Sequence, residues 1–237
     1  MNDYKLLAKY YQECFSLIDT FHFNSEVTQS EFHKWITPHK EVVIPITHSG
    51  ISDNRRMKNI DGRLIRIAFI GPKTAFKGLP TLIQTLRILH KDGVVNWCLH
   101  VWGNDTGNDD TLPIVYRGKY NNEMLTNVYA EMDLLVVPSI WKETFSLVTL
   151  EALSYGVPVL VSDNVGAKLL VCSYDKRFVY HGSDGLMQAL LLILSNPSVL
   201  QFFNQRILTL PWYHSIENHA KEIIENCLLY TSPSPRD

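Results

Sequence analysis

The chain has 237 residues, 46% of them hydrophobic, and its 22 basic and 24 acidic side chains leave a formal net charge of −2. That length and apolar content support one large or two modest globular domains, and a balanced charge with no basic block excludes an electrostatic nucleic-acid surface. No stretch approaches the roughly 20 apolar residues needed to cross a bilayer, the first residues lack a signal-peptide core, and Cys14, Cys98, Cys172 and Cys227 have no metal-ligand spacing, so a reduced, cytoplasmic chain is expected.

Residues 1–20 read as a helix capped by Asn2 or Asp3, with Tyr4, Leu7, Tyr11, Cys14, Phe15 and Ile18 on one face. A short strand (20–23) follows. Ser25 then caps a helix expected to bury Phe32, Trp35 and Ile36, and residues 41–44 form a strand stopped by Pro45. This run, 1–45, is too small for a complete sheet domain. Residues 46–63 are polar, with Gly50, Gly62 and the basic Arg55, Arg56 and Lys58, and read as a linker between domains.

Residues 64–70 (LIRIAFI) are a strand that runs into the loop Gly71-Pro72-Lys73-Thr74-Ala75-Phe76-Lys77-Gly78. Pro80 suits the first turn of the next helix, whose inner stripe is Leu82, Ile83, Leu86 and Leu89, with Gly93 as its stop. Strand, glycine loop and helix are the start of a nucleotide-binding sheet, although the loop is neither a Walker A sequence nor G-x-G-x-x-G. A strand at 96–102 leads to a polar loop at 103–110 whose spacing does not match an EF-hand, so a surface turn is expected. Residues 114–116 form a strand, and Met124, Leu125, Val128, Tyr129 and Met132 mark an amphipathic helix.

The central stretch is 133–153. Asp133-Leu134-Leu135-Val136-Val137, ended by Pro138, is an apolar run that reads as a parallel strand covered on both faces. From about Thr144, Phe145, Val148, Ala152 and Leu153 recur at helical spacing, so the first N–H groups of a helix point above the sheet and suit an anion. Glu143 precedes that helix and Glu151 lies inside it. At 1.5 Å per helical residue they would be roughly 12 Å apart, about the span from one sugar across a diphosphate to another.

Gly156 ends that helix, 158–161 is another buried strand, and 177–180 a last one. Helices follow at 183–194, with Leu186, Leu190, Leu191 and Leu194 inward, and at 198–208. A closing helix within 211–229 is expected to bury Ile216, Ala220, Ile223, Ile224 and Leu228. Two prolines and no apolar residue after Tyr230 mark 230–237 as a non-native or disordered tail.

The run P-S-x-x-x-E-T-F-x-L-x-x-L-E-A-L-x-x-G-x-P-V from Pro138 resembles the donor-binding core of retaining GT-B glycosyltransferases, most closely glycosyltransferase family 4. The resemblance implies that Glu143 lies beside the transferred sugar, that Glu151 binds the ribose hydroxyls, and that the amides of Thr144, Phe145, Ser146 and Leu147 hold the diphosphate. Many members carry glycine where Ser146 stands. The loop 71–78 resembles the family's G-R-x-x-x-x-K-G loop: Gly71 and Lys77 match, Pro72 stands at the arginine position, and Lys73 is left as the second cation. Lys77 would stabilise the departing diphosphate. Residues 117–120 resemble the loop that contacts the base, and 163–168 a turn near the donor sugar.

The expected fold is α/β, a Rossmann-like parallel sheet with helices on both faces (64–210), preceded by the remnant of an acceptor domain (1–45). The closing helix would cross back onto that remnant. The implied reaction transfers a sugar from a nucleotide diphosphate sugar to a hydroxyl with retention, on a glycan or lipid-linked acceptor, with peripheral membrane contact allowed. No cofactor is implied, and no Asp-x-Asp metal motif is present. The alternative is a nucleotide-sugar binding module without turnover, because most of the acceptor domain is missing.

Overall fold

The computed structural model describes residues 2–60, 64–103, 107 and 111–228. The end of the expected linker (61–63), most of the polar loop 103–110 and the tail 230–237 lie outside the described residues. The first 45 residues form helix α1 (Asn2–Ser16), strand β1 (Phe21–Phe23), helix α2 (Glu26–Phe32) and strand β2 (Glu41–Val43). β1 and β2 pair in parallel, with Phe21 opposite Glu41. Ser25 caps α2 by accepting the Thr28 N–H at 3.2 Å, and Phe15, Phe21, Phe23 and Phe32 cluster with ring centroids 5.4–6.0 Å apart.

This layer is thin. It half-covers Cys14 and Phe15 but leaves Tyr4, Leu7 and Tyr11 of α1 exposed. The expected burial of Trp35 fails: α2 ends at Phe32, residue 35 leaves the helical register, and the indole is 71% exposed.

The main sheet is built from runs too apolar to face water on either side. Its elements are β3 (Ile65–Ile70), α3 (Leu79–Lys91), β4 (Trp97–Trp102), β5 (Ile114–Gly118), α4 (Leu125–Ala130), β6 (Leu134–Val137), α5 (Leu147–Ser154), β7 (Val159–Ser162), α6 (Lys168–Tyr174), β8 (Val179–Tyr180), α7 (Gly182–Ser195), α8 (Ser198–Thr209) and α9 (Ile216–Ile223). All six strands are parallel in the order β5-β4-β3-β6-β7-β8. Chain order reverses between β3 and β6, and the crevice above the carboxyl ends of those two strands is where a sheet of this topology binds ligands. With this strand order the right-handed crossover rule assigns α3 to one face and α4, α5 and α6 to the other; α7 packs beside α3.

The register of the two central strands is fixed at their amino ends. Buried Asp133 takes two guanidinium contacts from Arg66, at 2.9 and 2.6 Å, and the Arg66 backbone N–H at 2.9 Å. A bidentate pair of this kind sets geometry as well as energy. The segment read as a linker is strapped to this sheet. Ile51 is buried, the Asn54 N–H donates to Ser154 O at 2.9 Å, and buried Asn204 accepts the Lys58 N–H and donates to Arg56 O and Gly156 O. Its polar groups are spent on backbone partners, which composition does not reveal.

Three details differ from the periodicity reading. Leu191 is 44% exposed and Ile193 is buried in its place, because five residues past Leu186 at 100° each turn the side chain off the buried face. α6 is an additional seven-residue helix between β7 and β8. On α9 the expected inward stripe is largely outward: Ile216 and Ile224 are 38% and 54% exposed, Ala220 is exposed and Ile223 is half-buried, while the Leu228 side chain lies outside the described residues. Near α9, Thr47 donates to His214 O at 2.8 Å and the His219 ring lies 6.4 Å from that of His22. No single helix among the described residues is long and apolar enough to cross a membrane.

Candidate functional site

Two βα loops meet above the reversal point. After β3 a single 3₁₀ turn (Ala75–Lys77) ends at Gly78, whose φ of +80° lets the chain fold back on itself against Pro138 at the end of β6. Lys77 thereby lies over the second loop. Its Nζ is 2.9 Å from Glu143 Oε1, and the same carboxylate oxygen accepts a hydrogen bond from Ser139 Oγ.

Glu143 is held from behind. Its N–H donates to Asn164 O at 2.9 Å, its carbonyl accepts from the Gly166 N–H at 3.0 Å, and the Phe145 carbonyl accepts from the Ala167 N–H at 2.7 Å. A β-carbon on Gly166 would stand 2.2 Å from Thr144 O, so only glycine allows the 163–168 turn this close. The Thr144 carbonyl also accepts from Ser25 Oγ at 2.5 Å and Thr28 Oγ1 at 3.2 Å, which ties the site loop to α2.

The helix of this loop begins later than its apolar spacing implies. Residues 144–146 are loop and α5 starts at Leu147, because Ser146 is left-handed (φ +99°, ψ +86°) and breaks the helical path. The uniform 1.5 Å rise from Glu143 to Glu151 therefore does not hold. Ser146 stands where a glycine would be unstrained, and its Oγ lies 2.9 Å from Thr149 Oγ1. Among the described residues the N–H groups of Thr144, Phe145 and Ser146 take no backbone partner, and those of Leu147 and Val148 are in the first turn, which has no carbonyl four residues back inside the helix. This end of α5 is a set of amide donors with the positive end of a helix dipole.

An open cleft of about 510 Å³ is lined by Phe76, Lys77, Trp141, Lys142, Glu143, Thr144, Phe145 and Ser146. It thus gathers five of the residues singled out from the sequence: Lys77, Glu143, Thr144, Phe145 and Ser146. Leu147 adjoins it in the chain. Gly71 (φ +150°) ends β3, where its N–H donates to Trp102 O at 3.2 Å. Lys73 is not in the lining; its Nζ sits 5.8 Å from the centre of the Tyr116 ring. Lys168, at the end of the glycine turn, donates to Asp163 O at 2.9 Å.

Glu151 lies apart from the cleft lining, on α5. Its side chain is 17% exposed; one oxygen accepts the Tyr129 hydroxyl at 2.8 Å, and the other is 3.5 Å from His48 Nε2. Burial first, then the Glu151 charge, pushes the Tyr129 hydroxyl well above its ordinary pKa, and the same two causes push Tyr120 up to about 12. Sequence reading passed over Ser139, Tyr129 and His48. For Tyr129 a signal existed: a tyrosine on the inner face of a helix needs a partner for its hydroxyl.

A family profile described as "Glycosyl transferases group 1" matches residues 65–196. The chain is 27% identical over 164 residues to a D-inositol 3-phosphate glycosyltransferase of Corynebacterium diphtheriae, covering 63% of this chain and 38% of that protein. It is 28% identical over 142 residues to an uncharacterised glycosyltransferase of Methanocaldococcus jannaschii, covering 55% and 33%. The chain spans about a third of the length of these curated relatives. In structure it is similar to a sucrose-phosphate synthase of Thermosynechococcus elongatus (TM-score 0.67, 18% identity, 93% of this chain and 60% of that one). It is also similar to Anabaena HepE in complex with UDP and glucose (TM-score 0.67, 15% identity, 92% and 65%). The fold is that of the GT-B glycosyltransferases, and with more than half of its length matched by the profile, the chain belongs to the group 1 glycosyl transferases.

Proposed function

We propose that the cleft binds a nucleotide diphosphate sugar and that the whole protein transfers the sugar to a hydroxyl acceptor with retention, as in glycosyltransferase family 4. The observation that carries this is the meeting of Lys77 and Glu143, 66 positions apart in the chain, at 2.9 Å above the reversal point. Lys77 and the amides of Thr144, Phe145, Ser146 and Leu147 supply positive charge where a diphosphate leaving group develops negative charge, and preorganised donors of this kind are often the largest catalytic term. Glu143, held at backbone and side chain, orients the sugar. Glu151 takes the ribose. Gly71 lets the backbone approach the donor, and Lys73 is a more distant cation. In this reading the nucleotide sugar is a substrate, and neither a cofactor nor a resident metal takes part.

Residues 1–45 belong to an acceptor domain, and the acceptor is a glycan or lipid-linked hydroxyl. The second reading is a nucleotide-sugar binding module, in which the same cleft holds the donor without turnover. Calorimetric titration with UDP-, GDP- and ADP-sugars, followed by transfer and hydrolysis assays, separates the two. A sugar nucleotide that binds, with transfer lost in Glu143→Gln and binding kept, supports the transferase. Saturable binding without any product supports the module, and absence of binding to all three overturns both.

A further inference from the structure

We propose that Tyr129 is a positioning residue for Glu151, its buried hydroxyl turning the carboxylate toward the ribose of the bound nucleotide. This rests on the reading of Glu151 as the ribose ligand. A glutamate has three rotatable side-chain bonds, and fixing them on binding costs conformational entropy. Here the Tyr129 hydroxyl holds one oxygen at 2.8 Å before any ligand arrives, so that ordering cost is met in the free protein.

The donor is itself immobile. Tyr129 is fully buried, its ring is stacked on Tyr155 (centroids 4.9 Å, interplanar angle 17°), and its carbonyl accepts from Lys58 Nζ at 2.6 Å. The single Tyr129 proton goes to Glu151. That bond occupies one Glu151 oxygen and leaves the other, beside His48, for the ribose hydroxyls. Tyr129 keeps its proton through the neutral range, since burial and the nearby carboxylate raise its pKa, so it stays a donor.

The test compares ribose discrimination, which a purely structural role of Tyr129 would not move. UDP, GDP and ADP are titrated calorimetrically, and the tightest is compared with its 2′-deoxy form. The wild type is expected to prefer the ribonucleotide by about 10-fold or more, the worth of a hydrogen bond to a charged acceptor. Glu151→Ala should bring the ratio to about 1, and Tyr129→Phe, which keeps the stacked ring, to about 3 or less. If Tyr129→Phe does not fold, Tyr129→His, which keeps a ring with a weaker N–H donor, takes its place and should lower the ratio about 2-fold or more; an unchanged ratio there overturns the proposal. A ratio lost in Glu151→Ala but intact in Tyr129→Phe overturns this proposal alone. A ratio that survives Glu151→Ala, or no binding by any of the three nucleotides, overturns the ribose reading beneath it.

Discussion

A β-carbon on Gly78 would lie 1.7 Å from the carbonyl oxygen of Pro138, so the loops that follow β3 and β6 touch backbone to backbone. That contact carries Lys77 over Glu143.

Replacing Gly78 with alanine forces the two loops apart. The new methyl overlaps a carbonyl that belongs to the end of a buried strand, and the residue sits at φ +80°, where a side chain costs about 1–2 kcal/mol by itself. Gly78→Ala is expected to lower the unfolding free energy by about 2–4 kcal/mol in chemical denaturation, with the denaturant slope unchanged. A loss under about 1 kcal/mol would show that the loops are not held this closely.

Lys77→Met removes the ammonium and keeps most of the stem. With the nucleotide reading above, affinity for the best-binding nucleoside diphosphate should fall about 10- to 100-fold, the range for a charge-assisted hydrogen bond. Its dependence on salt should weaken as well. Equal affinity in titrations of the two proteins would remove Lys77 from the phosphate site.

Ser146 tests the strain at the start of α5. The order of stability expected from its φ of +99° is glycine at or above serine, with valine lowest. Relief of the left-handed strain, about 1–2 kcal/mol, exceeds the entropic cost of glycine, about 0.5–1 kcal/mol, and loss of the Thr149 hydroxyl contact reduces the difference. Ser146→Val, β-branched and unable to adopt that conformation comfortably, should lose at least about 1 kcal/mol relative to serine. Thermal unfolding of the three proteins reads the order directly.

Lys58 predicts a pH dependence. Burial pushes its ammonium from an ordinary 10.5 down to about 8, with Asp133 opposing the change. Below about pH 8 both folded and unfolded chains hold the proton, and Lys58 adds no slope. Between about pH 8 and 10 the unfolded chain holds more protons, so the unfolding free energy rises with pH, by at most about 1.4 kcal/mol per unit. Above pH 10 the trend reverses, because Tyr129 and Tyr120 resist the ionisation that the unfolded chain allows. Burial raises the pKa of the Cys98 thiol, which opposes the rise between about pH 8 and 10, since the unfolded chain loses that proton first. Urea denaturation at pH 7.5, 8.5 and 9.5 should therefore show the unfolding free energy rising more steeply in the wild type than in Lys58→Gln, and equal slopes in the two would contradict the burial of the charge.

What the chain order made legible were features that depend on near neighbours. Apolar runs without polar alternation marked β3, β4, β6 and β7, the 3.6-residue spacing of Leu82, Leu86 and Leu89 marked the buried face of α3, and Ser25 marked a helix start that the fold keeps. The string from Pro138 to Val159 identified the loop that lines the cleft through its resemblance to a family motif, although the groups that hold its backbone, from Asn164 to Ala167 and Ser25, lie outside it. Spacing alone misjudged where α5 begins: periodicity registers side chains, and the helix is interrupted by the left-handed backbone of Ser146. It also misjudged burial at Trp35 and along α9, since an apolar stripe shows that a face needs cover and not whether another element reaches it.

Pairings across the sheet were decided only in three dimensions. Lys77 meets Glu143, and Tyr129 meets Glu151, because the strands on which those loops and helices hang run side by side after a reversal of order that no local pattern encodes. The polar segment 51–60 became a strap for the same reason: Asn204, almost 150 positions later, offers partners to its backbone. Local sequence fixes the conformation of each piece through short-range sterics and burial, whereas which charge faces which carboxylate depends on contacts whose sequence separation the chain closes only on folding.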